Sequence, residues 1–171
     1  MAEKDLENHL ADRIRTGRQN TTELQNIRIS ADVLSADNLA ELIGNEKFVL
    51  FQDTSEWNEY KNLMADVIGG MIPDIVIRSV SSGQNRIYIE VKEKAFIGRT
   101  SHESQVLRYL LHLLCSSTNC ADSSNGMRRA LLLAAPKSWF EGKQGDDWSF
   151  FVEHYGPLAK SFGIVLGRIY L

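Results

Sequence analysis

The residues best suited to chemistry lie in a short segment near the middle of the chain. Residues 87–92 read Ile-Tyr-Ile-Glu-Val-Lys, so a carboxylate, Glu90, and an ammonium group, Lys92, stand two positions apart. Side chains alternate between the two faces of a strand. We therefore expect Tyr88, Glu90 and Lys92 to share one face, with an acid and a base side by side.

A second carboxylate precedes a neighbouring strand. Two runs rich in β-branched residues, 75–80 and 87–91, flank a polar segment that contains glycine, which is typical of a β-hairpin. Asp74 opens the first run, and antiparallel pairing would bring it near Glu90. Two converging carboxylates can hold a hard divalent cation through oxygen ligands. Lys92 beside them could then orient or activate an attacking water.

A helix is expected after the hairpin. Thr100 and Glu103 form a capping-box pattern ahead of an apolar stretch, which predicts a helix start. Gln105 and Tyr109 are four positions apart and therefore share one face of that helix. Arg108 lies beside them and is a candidate for contact with a phosphate.

The remaining pattern predicts alternating helices and strands in one domain, 1–171, of which residues 1–30 could form a helical N-terminal arm. The further expected helices are 3–16, a short one after Asp37 that ends at Gly44, one that begins at Thr54 or Ser55 and ends before Gly69-Gly70, and 148–162 with an interruption at Gly156-Pro157. The further expected strands are 48–51, 130–135 and 164–171. This order predicts an α/β fold with a central mixed β-sheet flanked by helices.

Composition bounds the class of protein. The chain has 171 residues, of which 43% are hydrophobic and 24% charged, as is ordinary for one globular domain. A net charge of −3 does not by itself indicate a nucleic-acid partner. The absence of a long apolar run or a signal-peptide pattern predicts a soluble, cytoplasmic or otherwise intracellular protein with no membrane partner. Cys115 and Cys120 are expected to be reduced structural thiols.

The motif resembles a known family signature. Pro73-Asp74, a gap of fifteen residues, and Glu90-Val91-Lys92 closely resemble the signature of the PD-(D/E)xK nuclease superfamily. The resemblance covers roughly residues 54–135, and both halves of the signature fall on predicted hairpin strands. Gln105 and Tyr109 are similar to the QxxxY motif of its RecB-like branch.

The resemblance implies a restriction-endonuclease-like core and a hydrolase that cuts phosphodiester bonds in nucleic acid, DNA more than RNA, with Mg²⁺ or Mn²⁺ as cofactor. Asp74, Glu90 and the Val91 carbonyl would be metal ligands, and Lys92 would assist in-line attack by water that leaves a 5′-phosphate. The residues implied to bind the substrate are Gln105, Tyr109 and Arg108. Endonuclease and exonuclease action both remain open.

Members of this superfamily usually add an acidic residue from a helix before the hairpin. On the helix predicted after residue 54, the mean direction of the apolar side chains lies about 50° from Glu56 and more than about 100° from Glu59. This favours Glu56 as the additional metal ligand. Glu41 and Glu7 on earlier helices and Asp66 are alternatives.

Other structural interpretations compete with these assignments. Glu90 and Lys92 could form the solvated face of an antiparallel strand. The aromatic residues between 139 and 151 could stack on bases, although core packing is the usual role of such residues. His112 falls on the stripe of Gln105 and is more often a packed residue than a ligand. Besides Arg108, the basic residues nearest the motif are Lys94 and Arg99.

Two other functional classes are compatible with the same residues. The main alternative is a nuclease-fold protein that binds nucleic acid or a protein partner without cutting. A structural module of a larger assembly is the third class. Metal-dependent cleavage of nucleic acid separates the first class from both others.

Overall fold

A computed structural model of the chain describes residues 2–52, 73–100, 103–116 and 126–171. The helices are α1 (Glu3–Gly17), α2 (Thr21–Asn26), α3 (Leu39–Ile43), α4 (Gln105–Ser116), α5 (Lys137–Glu141) and α6 (Lys143–Ser161). The strands are β1 (Ser30–Val33), β2 (Phe48–Gln52), β3 (Ile75–Ser79), β4 (Asn85–Val91), β5 (Ala130–Ala135) and β6 (Val165–Tyr170).

The strands form one six-stranded sheet in the order β1-β6-β5-β4-β3-β2. Strands β2, β3 and β4 are antiparallel neighbours, whereas β4, β5 and β6 run parallel and are joined by helical crossovers. Strand β1 pairs with β6 in the antiparallel sense. The expected α/β fold with a central mixed sheet is confirmed, and β4 lies at the junction of its antiparallel and parallel parts.

Helices cover both faces of the sheet. Helices α1, α2 and α3 pack on the face that carries Ile87, Ile89 and Val91. Helices α4, α5 and α6 pack on the face that carries Tyr88. The alternation predicted for β4 is confirmed, but all of its residues are buried, because a central strand between two helical layers has no solvated face.

The structure also departs from the sequence predictions. Helix α2, strand β1 and helix α5 were not predicted, since each is too short to show a clear period. The interruption predicted at Gly156-Pro157 is wrong, because α6 continues from Lys143 to Ser161. Gly156 lets the helix approach β1: a Cβ added there would lie 3.1 Å from Val33 Cγ2. A proline in a helix interior costs about 3 kcal/mol, because it removes a hydrogen bond and its ring clashes with the preceding turn. Tertiary packing of α6 thus outweighs this cost at Pro157.

The start of α4 differs from the capping-box prediction. Ser104 Oγ accepts a hydrogen bond from the Leu107 amide at 3.2 Å, so Ser104 caps this helix. Thr100 caps the turn before it, where its Oγ1 accepts from the Glu103 amide at 3.3 Å. The capping pattern therefore marks a turn that leads into the helix.

Some predictions fall outside the described residues. The helix predicted from Thr54 or Ser55 lies there, together with Glu56 and Asp66, and so does Cys120. Cys115 is an exposed free thiol. Within the described ranges, no helix has the length and apolar character needed to cross a bilayer.

The junction of α5 and α6 is closely packed and supplies a test of the fold. A Cβ added at Gly145 would lie 1.9 Å from the Phe140 carbonyl oxygen. We expect Gly145→Ala to lower the free energy of unfolding by about 3 kcal/mol, because backbone must move to make room. Urea denaturation measures this loss.

Gly83→Ala is the matched control. Gly83 has φ 66°, and no neighbouring atom of the described residues lies within 4 Å of an added Cβ, so only the left-handed backbone is penalised, by about 1 kcal/mol. Equal losses in the two variants would contradict the close packing inferred at the α5–α6 junction.

Candidate active site

Asp74 and Glu90 meet where β3 begins and β4 ends. Ile75 of β3 pairs with Ile89 of β4 in antiparallel register, which places the preceding Asp74 beside Glu90. The Asp74 Oδ2 atom accepts a hydrogen bond from the Val91 amide at 2.7 Å. The backbone of β4 therefore holds the Asp74 carboxylate next to the Glu90-Val91-Lys92 segment.

Glu90 and Lys92 form a buried ion pair. Lys92 Nζ lies 2.9 Å from Glu90 Oε1. Lys92 is only 7% exposed and Glu90 only 2% exposed. The alternative that they form the solvated face of a strand is therefore wrong. Charged residues are rarely buried to this degree in a protein core unless they are paired.

Helix α1 contributes a further carboxylate. Glu7 is 4% exposed and accepts from Lys4 Nζ, which lies 2.9 Å from Glu7 Oε2, and from Gln52 Nε2 at 3.3 Å. It lies close enough to Asp74 to raise the pKa of that residue. Its neighbour Glu3 accepts from the backbone amide of Glu93, one residue beyond Lys92, at 3.0 Å.

Of the two considered helix acids that lie within the described residues, Glu7 and Glu41, the structure therefore brings Glu7 to this site. Glu41 accepts a hydrogen bond from the Asp37 amide at the start of α3 and serves that helix end instead. The favoured Glu56 lies outside the described residues. A signal for Glu7 was present in the sequence: it precedes Leu10, Ala11 and Ile14 by three, four and seven positions, which places it on the buried stripe of α1.

Tyr109 of α4 lies beneath the site. Its side chain is fully buried and packs edge-on against Tyr88 with ring centroids 6.4 Å apart. Burial and the nearby Glu90 carboxylate raise the pKa of the Tyr109 hydroxyl. The Tyr109 hydroxyl and the Glu90 carboxylate are also close enough for a hydrogen bond that lowers the pKa of Glu90, and neither the hydroxyl nor Glu90 Oε2 has another partner among the described residues. Tyr109 is therefore placed to act on Glu90, while Gln105 and Arg108 are only partly buried.

His112 of α4 is partly buried and packs against Tyr88. Its Nδ1 atom is hydrogen-bonded to the Tyr88 hydroxyl, and the two rings stack with centroids 5.5 Å apart. Burial lowers the pKa of His112, which favours the neutral ring. His112 thus supports Tyr88, in agreement with its interpretation as a packed residue.

Burial and closely spaced charges determine the electrostatics of the site. Burial and the Glu90 and Glu7 carboxylates raise the pKa of Asp74 to about 8, despite the Val91 amide and Lys92. Burial also raises the pKa of Glu90. Burial would lower the pKa of Lys92, but its contact with Glu90 outweighs this and raises it. Acidic groups at close range are stabilised when a positive charge lies between them.

The donor set fits a hard divalent cation that keeps part of its water shell. Within the described ranges, no group of three or more His, Cys, Asp or Glu residues forms a ready-made metal site. Mg²⁺, however, is commonly held by one or two carboxylates and completes its shell with water and phosphate oxygens. Asp74 and Glu90 supply two carboxylates, and Glu90 Oε2 is a buried acceptor with no partner among the described residues other than the Tyr109 hydroxyl.

Comparisons of the chain with protein-family models, with curated proteins and with solved structures gave no match. The assignment of this site therefore depends on the residues and geometry of the chain itself.

The raised pKa of Asp74 predicts how stability depends on pH. Between the ordinary value of 3.8 and about 8, the folded protein keeps a proton on Asp74 that the unfolded chain releases. Without metal, the free energy of unfolding should therefore fall as pH rises through this window, by at most about 6 kcal/mol, since the pKa is raised by about four units and one unit corresponds to about 1.4 kcal/mol.

Asp74→Asn should flatten that decline, because its amide does not titrate. Urea denaturation in EDTA across this pH range measures the effect. Asp12→Asn serves as the control, since the Asp12 side chain is 75% exposed in α1. Parallel pH profiles for wild type and Asp74→Asn would contradict the raised pKa.

Proposed function

We propose that the protein is a metal-dependent nuclease of the PD-(D/E)xK class, which hydrolyses phosphodiester bonds in nucleic acid, DNA in preference to RNA. The observation that carries this proposal is the group of Asp74, Glu90 and Lys92 at the junction of β3 and β4, in which a buried ion pair lies beside a second, partly buried carboxyl group. The mixed sheet with helices on both faces is compatible with a restriction-endonuclease-like core.

A purely structural role explains this arrangement poorly. Buried ion pairs are often no more stabilising than apolar residues of similar size, because desolvation offsets their attraction. A second acid, Asp74, adds to that cost, because burial and the neighbouring Glu90 disfavour its charged form and raise its pKa. Strongly shifted pKa values caused by burial and neighbouring charges cluster at functional sites. The energetic cost of burying these groups is therefore better explained by a catalytic role than by a contribution to folding stability.

The chain's residues would divide the work as follows. Asp74 and Glu90 would hold Mg²⁺ or Mn²⁺, with the Val91 carbonyl as a further oxygen ligand and Glu7 as the acid from a helix. When bound, the cation polarises the phosphodiester and makes water more acidic. Lys92, fixed by Glu90 Oε1, would orient the attacking water for in-line displacement, which leaves a 5′-phosphate.

The α4 residues would have two kinds of role. Tyr109 is buried and faces Glu90, so it would position that carboxylate and act on the reaction through it. Gln105 and Arg108, which are partly exposed, would contact the nucleic acid.

A second candidate function is binding of nucleic acid without cleavage. It is favoured by one observation, the lack of a ready-made three-ligand metal group among the described residues. Cleavage assays distinguish the two candidates directly.

The proposed activity predicts cleavage that requires Mg²⁺ or Mn²⁺ and stops in EDTA. Labelled single-stranded and double-stranded DNA, RNA, flaps and junctions provide the substrate panel. Lys92→Ala should lower the single-turnover rate by about 10²- to 10⁴-fold, the usual effect of removing a group that handles protons, while calorimetric Mg²⁺ binding remains.

Lys137→Ala is the matched control, since Lys137 is 74% exposed on α5 and pairs only with Glu141 within the described structure. Circular dichroism checks that both variants fold. Equal cleavage with and without EDTA would refute a metal-dependent nuclease, and binding without cleavage of any substrate would favour the second candidate.

The placement of Glu7 predicts a difference between two helix acids. Glu7→Gln should weaken Mg²⁺ binding by about 10- to 100-fold, as expected for a group that supports or completes a metal site. Glu41→Gln should leave Mg²⁺ affinity unchanged, because Glu41 serves the start of α3. Calorimetry on the two folded variants gives the comparison, and identical affinities would show that Glu7 plays no part in metal binding.

A further inference from the structure

The loop that follows Lys92 is fixed to the helical layer beside it. Trp139 Nε1 of α5 donates to the Ala95 carbonyl at 2.9 Å, and Gln144 Nε2 of α6 donates to the Lys94 carbonyl at 3.1 Å. These side chains hold the first half of the loop, residues 93–100. The backbone of this half is therefore bound to α5 and α6.

A second set of contacts fixes the far half of the loop. Asp147 of α6, itself buried, accepts from the Gly98 amide at 3.3 Å and from Arg99 Nε at 2.7 Å. Gly98 has φ 76°, and a Cβ there would lie 2.9 Å from the Glu103 backbone. Ile97 is buried between these anchors.

Phe96 is displayed at the centre of this fixed loop. Phe96 is 58% exposed. On one side, the Ala95 carbonyl is hydrogen-bonded to Trp139, and on the other, Ile97 is buried. A single exposed apolar residue is ordinary by itself. Here, however, the backbone on both sides is held in place, so the aromatic ring is presented to solvent from a rigid support.

The loop lies near the candidate active site and on the same side of the sheet. Phe96 follows Lys92 by four residues, so their Cα atoms are at most about 14 Å apart. The anchoring Trp139 packs in the core cluster that contains Tyr88, which is on the Glu90 and Lys92 face of β4. A polynucleotide strand in the site would pass within a few nucleotides of this ring.

Cations flank the ring on the same loop. Lys94 has a side chain that is 85% exposed and is only loosely paired with Glu93, at 3.6 Å. Arg99 is half exposed and lies over the Phe150 ring, 5.2 Å from its centroid. Cationic side chains beside an exposed aromatic ring are typical of surfaces that bind single-stranded nucleic acid.

We propose that Phe96 stacks on an unpaired base of a single-stranded substrate while Lys94 contacts a neighbouring phosphate. The nature of this ligand rests on the proposed nuclease function. A ring of this kind fits single strands, because a base in a duplex already has its faces covered by stacked neighbours, whereas every unpaired base offers a free π-face. The loop would thereby make single-stranded segments the preferred substrate.

Binding experiments in EDTA test this proposal without cleavage. Fluorescence anisotropy with a labelled single-stranded oligonucleotide and with a blunt duplex is measured for wild type, Phe96→Ala, Phe96→Trp and the control Phe162→Ala. Phe162 is a comparable phenylalanine, 50% exposed, just after α6.

We expect Phe96→Ala to weaken single-strand binding by about 5- to 150-fold, as for the loss of one stacked base, and to leave duplex binding unchanged. Phe96→Trp should retain wild-type affinity, and Phe162→Ala should behave as wild type. Lys94→Ala should reduce the salt dependence of single-strand binding by about 0.7 in the logarithmic slope.

The outcomes separate this proposal from the proposed function. If wild type cleaves nucleic acid but Phe96→Ala binds single strands as tightly as wild type does, the stacking role is wrong and the nuclease function stands. If Phe96 controls single-strand binding but no substrate is cut, the stacking role stands and the nuclease function is wrong. Equal losses for single strands and duplex, or no binding by wild type, would overturn the stacking role.

Discussion

The rest of the structure depends on the buried ion pair of Glu90 and Lys92 within the central strand of the sheet. Both faces of β4 are covered by helices, so the pair cannot be solvated, and removing one partner would leave the other charge buried, at a cost of about 3–5 kcal/mol. The neighbouring groups are arranged around this constraint. The Val91 amide fixes Asp74, Tyr109 lies beneath Glu90, and the aliphatic face of β4 supplies the apolar burial that offsets the cost of the charges.

The part of the site that the sequence could predict is the part built from local pairing. Alternation along 87–92 indicated which side chains of β4 share a face, and antiparallel pairing within the hairpin brings Asp74 beside Glu90. Both features depend on residues fewer than twenty apart, within one hairpin. Strands β2, β5 and β6 were predicted for a similar reason, since each is an apolar run bounded by polar residues, glycine or proline.

What could not be predicted depends on how distant elements pack. Glu7 was one of several candidate acids, because its role follows from where α1 docks and not from its own segment. The continuity of α6 through Gly156-Pro157 likewise depends on close packing against Val33, which local propensity does not report. The burial of Lys92 could not be predicted for the same reason. The alternation of a strand does not indicate whether a second layer of helices will cover its polar face.

The contact between helix α1 and the segment after Lys92 affects the order in which parts of the fold form. Glu3 hydrogen-bonds the amide of Glu93, ninety residues further along the chain, and its helix also carries Glu7 to Asp74. Contacts of such long sequence separation form late, since a large loop must close before they contribute stability. During synthesis, α1 leaves the ribosome well before β4 exists and has no strand on which to dock. The candidate active site is therefore completed only after the hairpin has emerged. Its formation requires the contact between helix α1 and the segment after β4, which closes a loop of about ninety residues.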